Sequence, residues 1–275
     1  MRAAVVGHVE WVEFARVDHV PPAGEIVHAS ETLQQPAGGG AVAAVQLAKL
    51  AGEATLFTAL GDDDLGHRAA TELAGLGVRV EAAFRPQPQR RAFTFVDDAA
   101  ERTITVIGKR LAPRGDDPLA WAELEAADGV YFTAGDAGAL RAARGARALV
   151  ATPRAMPTLV AAGVELDALV ASAADAGEQF ARGRLDPPPR LVVRTAGSQG
   201  GAYELEGGEC GSYAPAEVAG SRRNAYGCGD SFAAALTFGL GSGLGVEEAL
   251  ALAARAGAAC FTGRDAYEGQ LVLRS

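Results

Sequence analysis

The chain is short of several residue types, and each shortage closes off a class of function. Lysine occurs only at Lys49 and Lys109. Lys109 sits in Gly108-Lys109-Arg110, which lacks the upstream glycine and the following Ser or Thr of a Walker-type phosphate loop. The 3 cysteines, Cys210, Cys228 and Cys260, form no C-x-x-C pair and show no metal spacing, so they read as reduced thiols of a cytoplasmic protein. The 4 histidines, His8, His19, His28 and His67, all lie in the first quarter. With no Gly-x-Ser-x-Gly elbow either, Gly229-Asp230-Ser231 does not read as a hydrolase nucleophile motif. No apolar run reaches membrane-spanning length. The opening MRAAVVGHVEW runs straight into a strand-like pattern with no signal-peptide core. Basic charge is outnumbered, 25 Lys and Arg against 34 Asp and Glu for a net −9. That balance argues against a nucleic-acid partner and says little about small anionic ligands.

What is present is ample apolar material, 49% of 275 residues, enough for one large core with a small appendage. Brief apolar runs at 3–6, 54–60, 130–133, 148–151, 168–171 and 191–194 suit strands buried on both faces. Helical patterns at 41–51, 65–76, 118–126, 136–144, 156–162 and 175–182 lie between them. The alternation predicts a three-layer α/β/α fold with a mainly parallel central sheet. Two stretches, 25–34 and 91–107, read as strands without partner helices; the second turns at 97–101 like a hairpin. They predict a small β-lid on a single domain spanning 1–275, the lid drawn from about 9–34 and 84–110. Pro187–Pro189 is a stiff turn, not a linker, and no repeat is visible. Two helices, 227–240 and 246–261, close the chain, the second apolar on most sides and so expected to be buried.

The segment Asn224-Ala225-Tyr226-Gly227-Cys228-Gly229-Asp230-Ser231-Phe232 carries the most chemistry. Glycines flanking a small residue let successive N–H groups point into one concavity, and the helix that follows adds its positive dipole end. This suits a transferring phosphoryl group, and Asp230 at the end of the turn can accept the proton of an attacking hydroxyl. A plain helix N-terminus with an Asp in its first turn would show the same four residues. The stretch resembles the Asp-Thr-x-Gly-Ala-Gly-Asp signature of the ribokinase-like (PfkB) carbohydrate kinases. Three further segments follow in family order. Pro36-Ala37-Gly38-Gly39-Gly40-Ala41 is similar to the Gly-Gly substrate loop, Leu60-Gly61-Asp62-Asp63-Asp64-Leu65-Gly66 to the Gly-Asp-Asp-x-x-Gly turn, and Arg194-Thr195-Ala196-Gly197-Ser198-Gln199-Gly200-Gly201 to the nucleotide loop.

The resemblance implies an ATP- and Mg²⁺-dependent kinase acting on a sugar or sugar-like hydroxyl. Asp230 is then the base and Gly227, Cys228 and Gly229 the anion hole. Cys228 in place of Ala is expected to be tolerated, because the hole uses backbone. Thr195, Gly197, Gly200 and Asn224 are implied at the nucleotide, with Ala253 and Ala256 as small side chains along the adenine. Asn224 replaces the first Asp of the signature, which helps build a monovalent-cation site in some members, so potassium activation is not carried over. Ser172-Ala173-Ala174-Asp175 stands where the family has Asn-x-x-Glu, and Asp175 either orders hydrated magnesium through water or only caps the next helix. On the substrate side, Gly38 and Gly39 are implied. Glu10 or Glu13 stands in for a missing sugar-binding Asp, and Val42 replaces a usual Asn. Trp11 either stacks on a sugar or base or packs under the lid. Arg102 either reaches a substrate carboxylate or phosphate or is a solvated hairpin arginine. Phe93, Phe95, Val96 and Ile104 exceed what a two-stranded flap covers, which predicts a homodimer through the lids. A nucleoside kinase of the same fold, and a binding protein that has lost turnover, are the other readings.

Overall fold

The computed structural model describes residues 1–273. In chain order its first strands are β1 (Ala3–Val6), β2 (Glu10–Arg16), β3 (Glu31–Ala37), β4 (Ala54–Gly61), β5 (Val78–Arg85), β6 (Arg91–Val96) and β7 (Arg102–Ile107). The remainder are β8 (Gly129–Phe132), β9 (Ala148–Ala151), β10 (Ala168–Ser172), β11 (Leu191–Thr195), β12 (Gly201–Leu205) and β13 (Cys210–Tyr213). The helices are α1 (Gly39–Ala51), α2 (Asp64–Gly75), α3 (Ala137–Ala143), α4 (Met156–Ala162), α5 (Cys228–Gly241) and α6 (Val246–Cys260).

Nine strands form one sheet in the order β13-β12-β11-β10-β9-β8-β1-β4-β5. It is parallel from β5 to β11, and β12 and β13 add an antiparallel edge. β1 lies inside, with Val5 opposite Leu56 on one side and Tyr131 on the other. Strand side chains alternate between faces, so Ala3 and Val5 join a core with α1, α2, α5 and α6, while Ala4 and Val6 join a second core with α3 and α4. The α-helical layer over the first core is built from small residues: a Cβ on Gly239 of α5 would lie 2.8 Å from that of Ala249 of α6. Leu236 of α5 is fully enclosed there. Cutting such a side chain to Ala costs about 2–5 kcal/mol.

A second, four-stranded sheet has the order β3-β2-β6-β7. β2 pairs antiparallel with β3 and parallel with β6, and β6 and β7 form the hairpin read at 91–107. Trp11 is buried under it, donating from Nε1 to Gln34 Oε1 (3.3 Å), with the Arg68 guanidinium 4.4 Å above its ring. It therefore packs the sheet. No helix among the described residues is long and apolar enough to cross a membrane.

The sequence reading needs four corrections. The strand expected at 25–34 is β3, Glu31–Ala37, and it runs through Pro36. An edge strand tolerates a proline because its missing N–H faces away from the ladder. The helix expected at 175–182 is only a 3₁₀ turn, Ala176–Glu178: Asp175 accepts the Gly177 N–H (2.8 Å), and such local bonds favour turns over helices. The helix expected at 118–126 is a 3₁₀ helix from Trp121 to Ala126. β5, β12 and β13 fall outside the strand runs read from the sequence, and β2 lies in the lid range 9–34, where only 25–34 is read as a strand.

Candidate active site

In an open parallel sheet the loops at the carboxyl ends of the strands form the natural crevice. Here β1 ends into Gly7 and His8, β8 into Thr133, β9 into Thr152 and Arg154, and β10 into Asp175. The N-termini of α1 and α5 come to the same edge. A Cβ placed on Gly39, the first residue of α1, would sit 2.8 Å from Asp230 Oδ1 and 3.4 Å from Thr133 Oγ1. Thr133 Oγ1 is in turn 3.3 Å from His8 Nδ1.

Asp230 lies in the first turn of α5, whose N-cap is Gly227. Gly227 has φ +81°, left-handed, and a Cβ there would come within 2.8 Å of Val42 Cγ1, so both backbone and space call for glycine. The first N–H groups of a helix have no partner within it, and those of α5 open beside Gly229, which is exposed. Burial pushes the Asp230 carboxyl up to about 7; the negative charge of Glu178 raises it further, and Arg154 and Arg102 oppose the shift. A carboxylate that titrates near neutrality can both take and return a proton at working pH.

Around it lies a charged set. Glu10 is buried, with Arg90 Nε 2.9 Å and His8 Nε2 3.8 Å from its Oε1. Burial, reinforced by Arg110, Arg90 and Arg154, holds the His8 imidazole well below its usual pKa, hence neutral. Burial also raises Glu10, against the pull of Arg90. Arg154 bonds Asp175 and, at 2.6 Å, Glu178. Tyr226 ties the two glycine loops together: its hydroxyl accepts the Gly38 N–H at 3.0 Å. Burial raises its pKa strongly.

The residues singled out in the sequence fall into three groups. Gly38, Gly39, Gly227, Cys228, Gly229, Asp230 and Glu10 converge at this edge. A Cβ on Gly38 would meet Glu10 Cγ at 3.2 Å. Arg102, exposed on β7, acts on Asp230 through its charge. The second group flanks it. Thr195 ends β11, and Gly197 and Gly200 bound the 3₁₀ turn before β12. Tyr213 of β13 faces Phe232 of α5 at 5.6 Å between ring centroids, joining that edge to the base-bearing helix.

The third group is turned elsewhere. Asn224 is fully buried and spends its amide on the backbone, donating to Arg264 O (3.2 Å) and accepting from Tyr226 N–H (2.9 Å). Glu13 lies on the opposite face of β2 from Glu10 by strand alternation. Ala253 and Ala256 have no exposed surface, being enclosed in the core, so they line no open surface; Val246, Ala254, Gly257, Ala258 and Ala259 are the half-buried residues of that helix. Asp175 has both oxygens engaged, by Gly177 N–H and Arg154. No cluster of three His, Cys, Asp or Glu suited to a metal occurs among the described residues. Sequence reasoning passed over His8, Thr133, Arg90, Arg110, Arg154 and Glu178. The available signal was position: His8, Thr133 and Arg154 each follow within three residues of the end of a core strand.

Solved structures with the same architecture include a ribokinase from Thermotoga maritima, with TM-score 0.77, 20% identity, and coverage of 99% of this chain and 96% of that one. A ribokinase from Arabidopsis thaliana, complexed with ribose and ATP, gives TM-score 0.74 and 20% identity over 98% and 96% of the two chains. A Methanocaldococcus jannaschii nucleoside kinase gives 0.74 and 15% over 99% and 95%. At such identities the likeness is one of fold. In sequence, an ATP-dependent ribose-1-phosphate kinase from Halopiger xanaduensis is 37% identical over 113 residues, 39% of this chain and only 36% of that protein. The model of the pfkB family carbohydrate kinases matches residues 2–155, more than half of the chain, and with the fold and the glycine-framed carboxylate at its carboxyl edge the chain belongs to that family of phosphotransferases.

Proposed function

We propose that the chain transfers the γ-phosphoryl group of ATP to a hydroxyl of a sugar or sugar-like substrate, with Asp230 as general base. The observation that carries this reading is the Asp230 carboxyl set in the first turn of a helix whose opening N–H groups have no helical partners, its Oδ1 2.8 Å from where a Cβ on Gly39 would stand, with burial pushing it up to about 7. The substrate hydroxyl gives its proton to Asp230 while its oxygen bonds to the γ-phosphorus. The bond from that phosphorus to the β-phosphate oxygen breaks, and ADP leaves. The N–H groups of Gly227, Cys228 and Gly229 meet the charge on the phosphoryl oxygens. Gly38 and Gly39 let the substrate approach the base. Thr195, Gly197 and Gly200 hold the nucleotide with the accessible side of α6. Magnesium enters as the Mg·ATP substrate, with its own waters; Glu178, and Asp175 through the lone pairs that Gly177 and Arg154 leave free, would reach it through those waters.

In this reading residues 1–273 act as one unit whose four-stranded sheet is a lid over the substrate. Ile104, Val106 and Ile107 are 42%, 44% and 47% exposed on β7, which supports a homodimer through the lids. The three cysteines are unpaired among the described residues, in keeping with the cytoplasm. The near-neutral base also speaks against a binding protein without turnover, which has no use for it. The test is Asp230→Asn across a panel of sugars, sugar phosphates and nucleosides, the phosphates included because of the Halopiger relative's named activity. Turnover should drop by about 10²–10⁴-fold, the usual worth of a general base, with ATP binding kept. A variant keeping more than about a tenth of wild-type kcat would refute the assignment.

A further inference from the structure

Tyr226 bridges two segments that lie 188 residues apart in sequence. It stands at the variable place of the signature, just before the left-handed Gly227, so its backbone belongs to the turn that carries Asp230. Its ring is buried and meets Phe14 of β2 edge to face, with centroids 4.9 Å apart and planes at 82°. A phenylalanine would fill that space equally well. What tyrosine adds is the hydroxyl, and the hydroxyl accepts the Gly38 N–H at 3.0 Å.

The loop entering α1 is held at two points by buried tyrosines. The Tyr267 hydroxyl donates to the Pro36 carbonyl, and the Tyr226 hydroxyl takes the N–H two residues on. Gly39 follows directly and forms the wall beside the base, its Cβ position 2.8 Å from Asp230 Oδ1. Tyr226 therefore has its backbone on the base's side of this close approach and its hydroxyl on the wall's side. Gly38 is the N-cap of α1 and has no side-chain cap of its own. Without the phenol its N–H would be a buried donor lacking a partner, and such a group is relieved by opening to water. Opening there unroofs Asp230. Burial is the largest influence on that carboxyl; Glu178 and Glu10 push the same way, Arg154 and Arg102 the other, and all four charges stay when the hydroxyl goes.

We infer that Tyr226 is a positioning residue for the base: its hydroxyl clamps the Gly38–Gly39 wall against Asp230 and keeps water off that carboxyl. The effect on turnover rests on the kinase reading above, while the clamp itself does not. Through Phe14 the same side chain is seated on the lid strand β2, so the wall, the base and the lid are set by one residue.

The test is carbon-13 NMR titration of the carboxyl groups in the full chain, with the Asp230 signal assigned by difference against Asp230→Asn in each background. In Tyr226→Phe the Asp230 midpoint should fall from about 7 toward 3.8 by about 0.5–1 unit, as water reaches the carboxyl. The kcat of an active chain should drop roughly 10-fold, because wall and base lose their fixed spacing. Thr237→Val is the control. Thr237 lies roughly two turns further along α5, is fully buried, and donates its hydroxyl to the Ala233 carbonyl at 2.8 Å. That variant loses a buried hydrogen bond of the same helix away from the wall, and it should keep the wild-type midpoint and kcat. A Tyr226→Phe midpoint at the wild-type value, a shift matched by Thr237→Val, or an unchanged kcat in a chain that turns over overturns the inference. The titration needs no substrate. A lowered midpoint in a chain that phosphorylates nothing on the panel would therefore count against the proposed reaction and leave the clamp standing.

Discussion

The sharpest lever on the proposed base is a single methyl group. Gly39 is not among the glycines with positive φ, so alanine fits its backbone. The added carbon would lie 2.8 Å from Asp230 Oδ1, whereas ordinary contact begins at 3.4 Å. The carboxylate must retreat by about 0.6 Å, the difference between those two values. Displacements approaching 1 Å cost about 100-fold in positioned reactions, so kcat should fall roughly 10- to 100-fold. Stability should move the other way. Gly39 opens α1, and replacing a helical glycine with alanine gains up to about 1 kcal/mol, less at a first position. Gly39→Ala is therefore expected to be as stable as wild type or more so, and slower. The assay pairs steady-state kinetics with thermal unfolding and adds the double variant with Asp230→Asn. If the methyl acts through the carboxylate, it costs little once the carboxylate is gone. Full activity in Gly39→Ala, or a loss that simply adds to that of Asp230→Asn, would refute the reasoning.

With Asp230 titrating at about 7, kcat/KM should rise with pH through that value and level off above it. Glu178→Gln, by removing a nearby negative charge, should lower the midpoint, as seen in pH–rate profiles. The same shift has a stability sign: the folded state holds this proton between 3.8, the ordinary value of an Asp carboxyl, and about 7 while the unfolded chain does not, so its contribution is present at low pH and lost as pH rises through that window. Asp230→Asn should accordingly gain stability over wild type at pH 8 more than at pH 4 in urea titrations. Asn224→Ala should destabilise the fold by about 1–3 kcal/mol, because the Arg264 carbonyl and Tyr226 N–H lose their partner. Ile104→Lys should convert a dimer into a monomer by light scattering, with the monomer still folded; a wild type already monomeric at micromolar concentration would end the dimer reading.

The fold class was legible because β1, β9 and α4 announce themselves by composition: short apolar runs bounded by turn residues, and a helical stretch between two of them. The carboxylate and its glycines were legible because a left-handed N-cap and a close approach leave no freedom in residue choice. What stayed hidden was set by long-range contact. Glu10 and Glu13 look equivalent in sequence, and only strand alternation under the second sheet separates them. Ala253 and Ala254 differ only in which side of α6 packs inward. Asn224 reads as a ligand until its amide is found spent on two backbone groups. Arg90 and Gly108 lie well apart in sequence and become neighbours only when the hairpin closes. Phe93 and Phe95 meet edge to face with ring centroids 5.0 Å apart and Val96 is buried, so less of the hairpin's apolar face is open than the sequence suggested.

The mixed order of the small sheet limits how this chain can be remodelled. Its strands come from two separate excursions, and β2 of the first is bonded both to its own partner β3 and to β6 of the second. Deleting either excursion leaves the other as a two-stranded ribbon with a bare edge, which is marginal in water. A shortened version of this protein must therefore discard both excursions or neither. A chimaera that grafts a relative's hairpin over 91–107 must bring the matching β2 face with it.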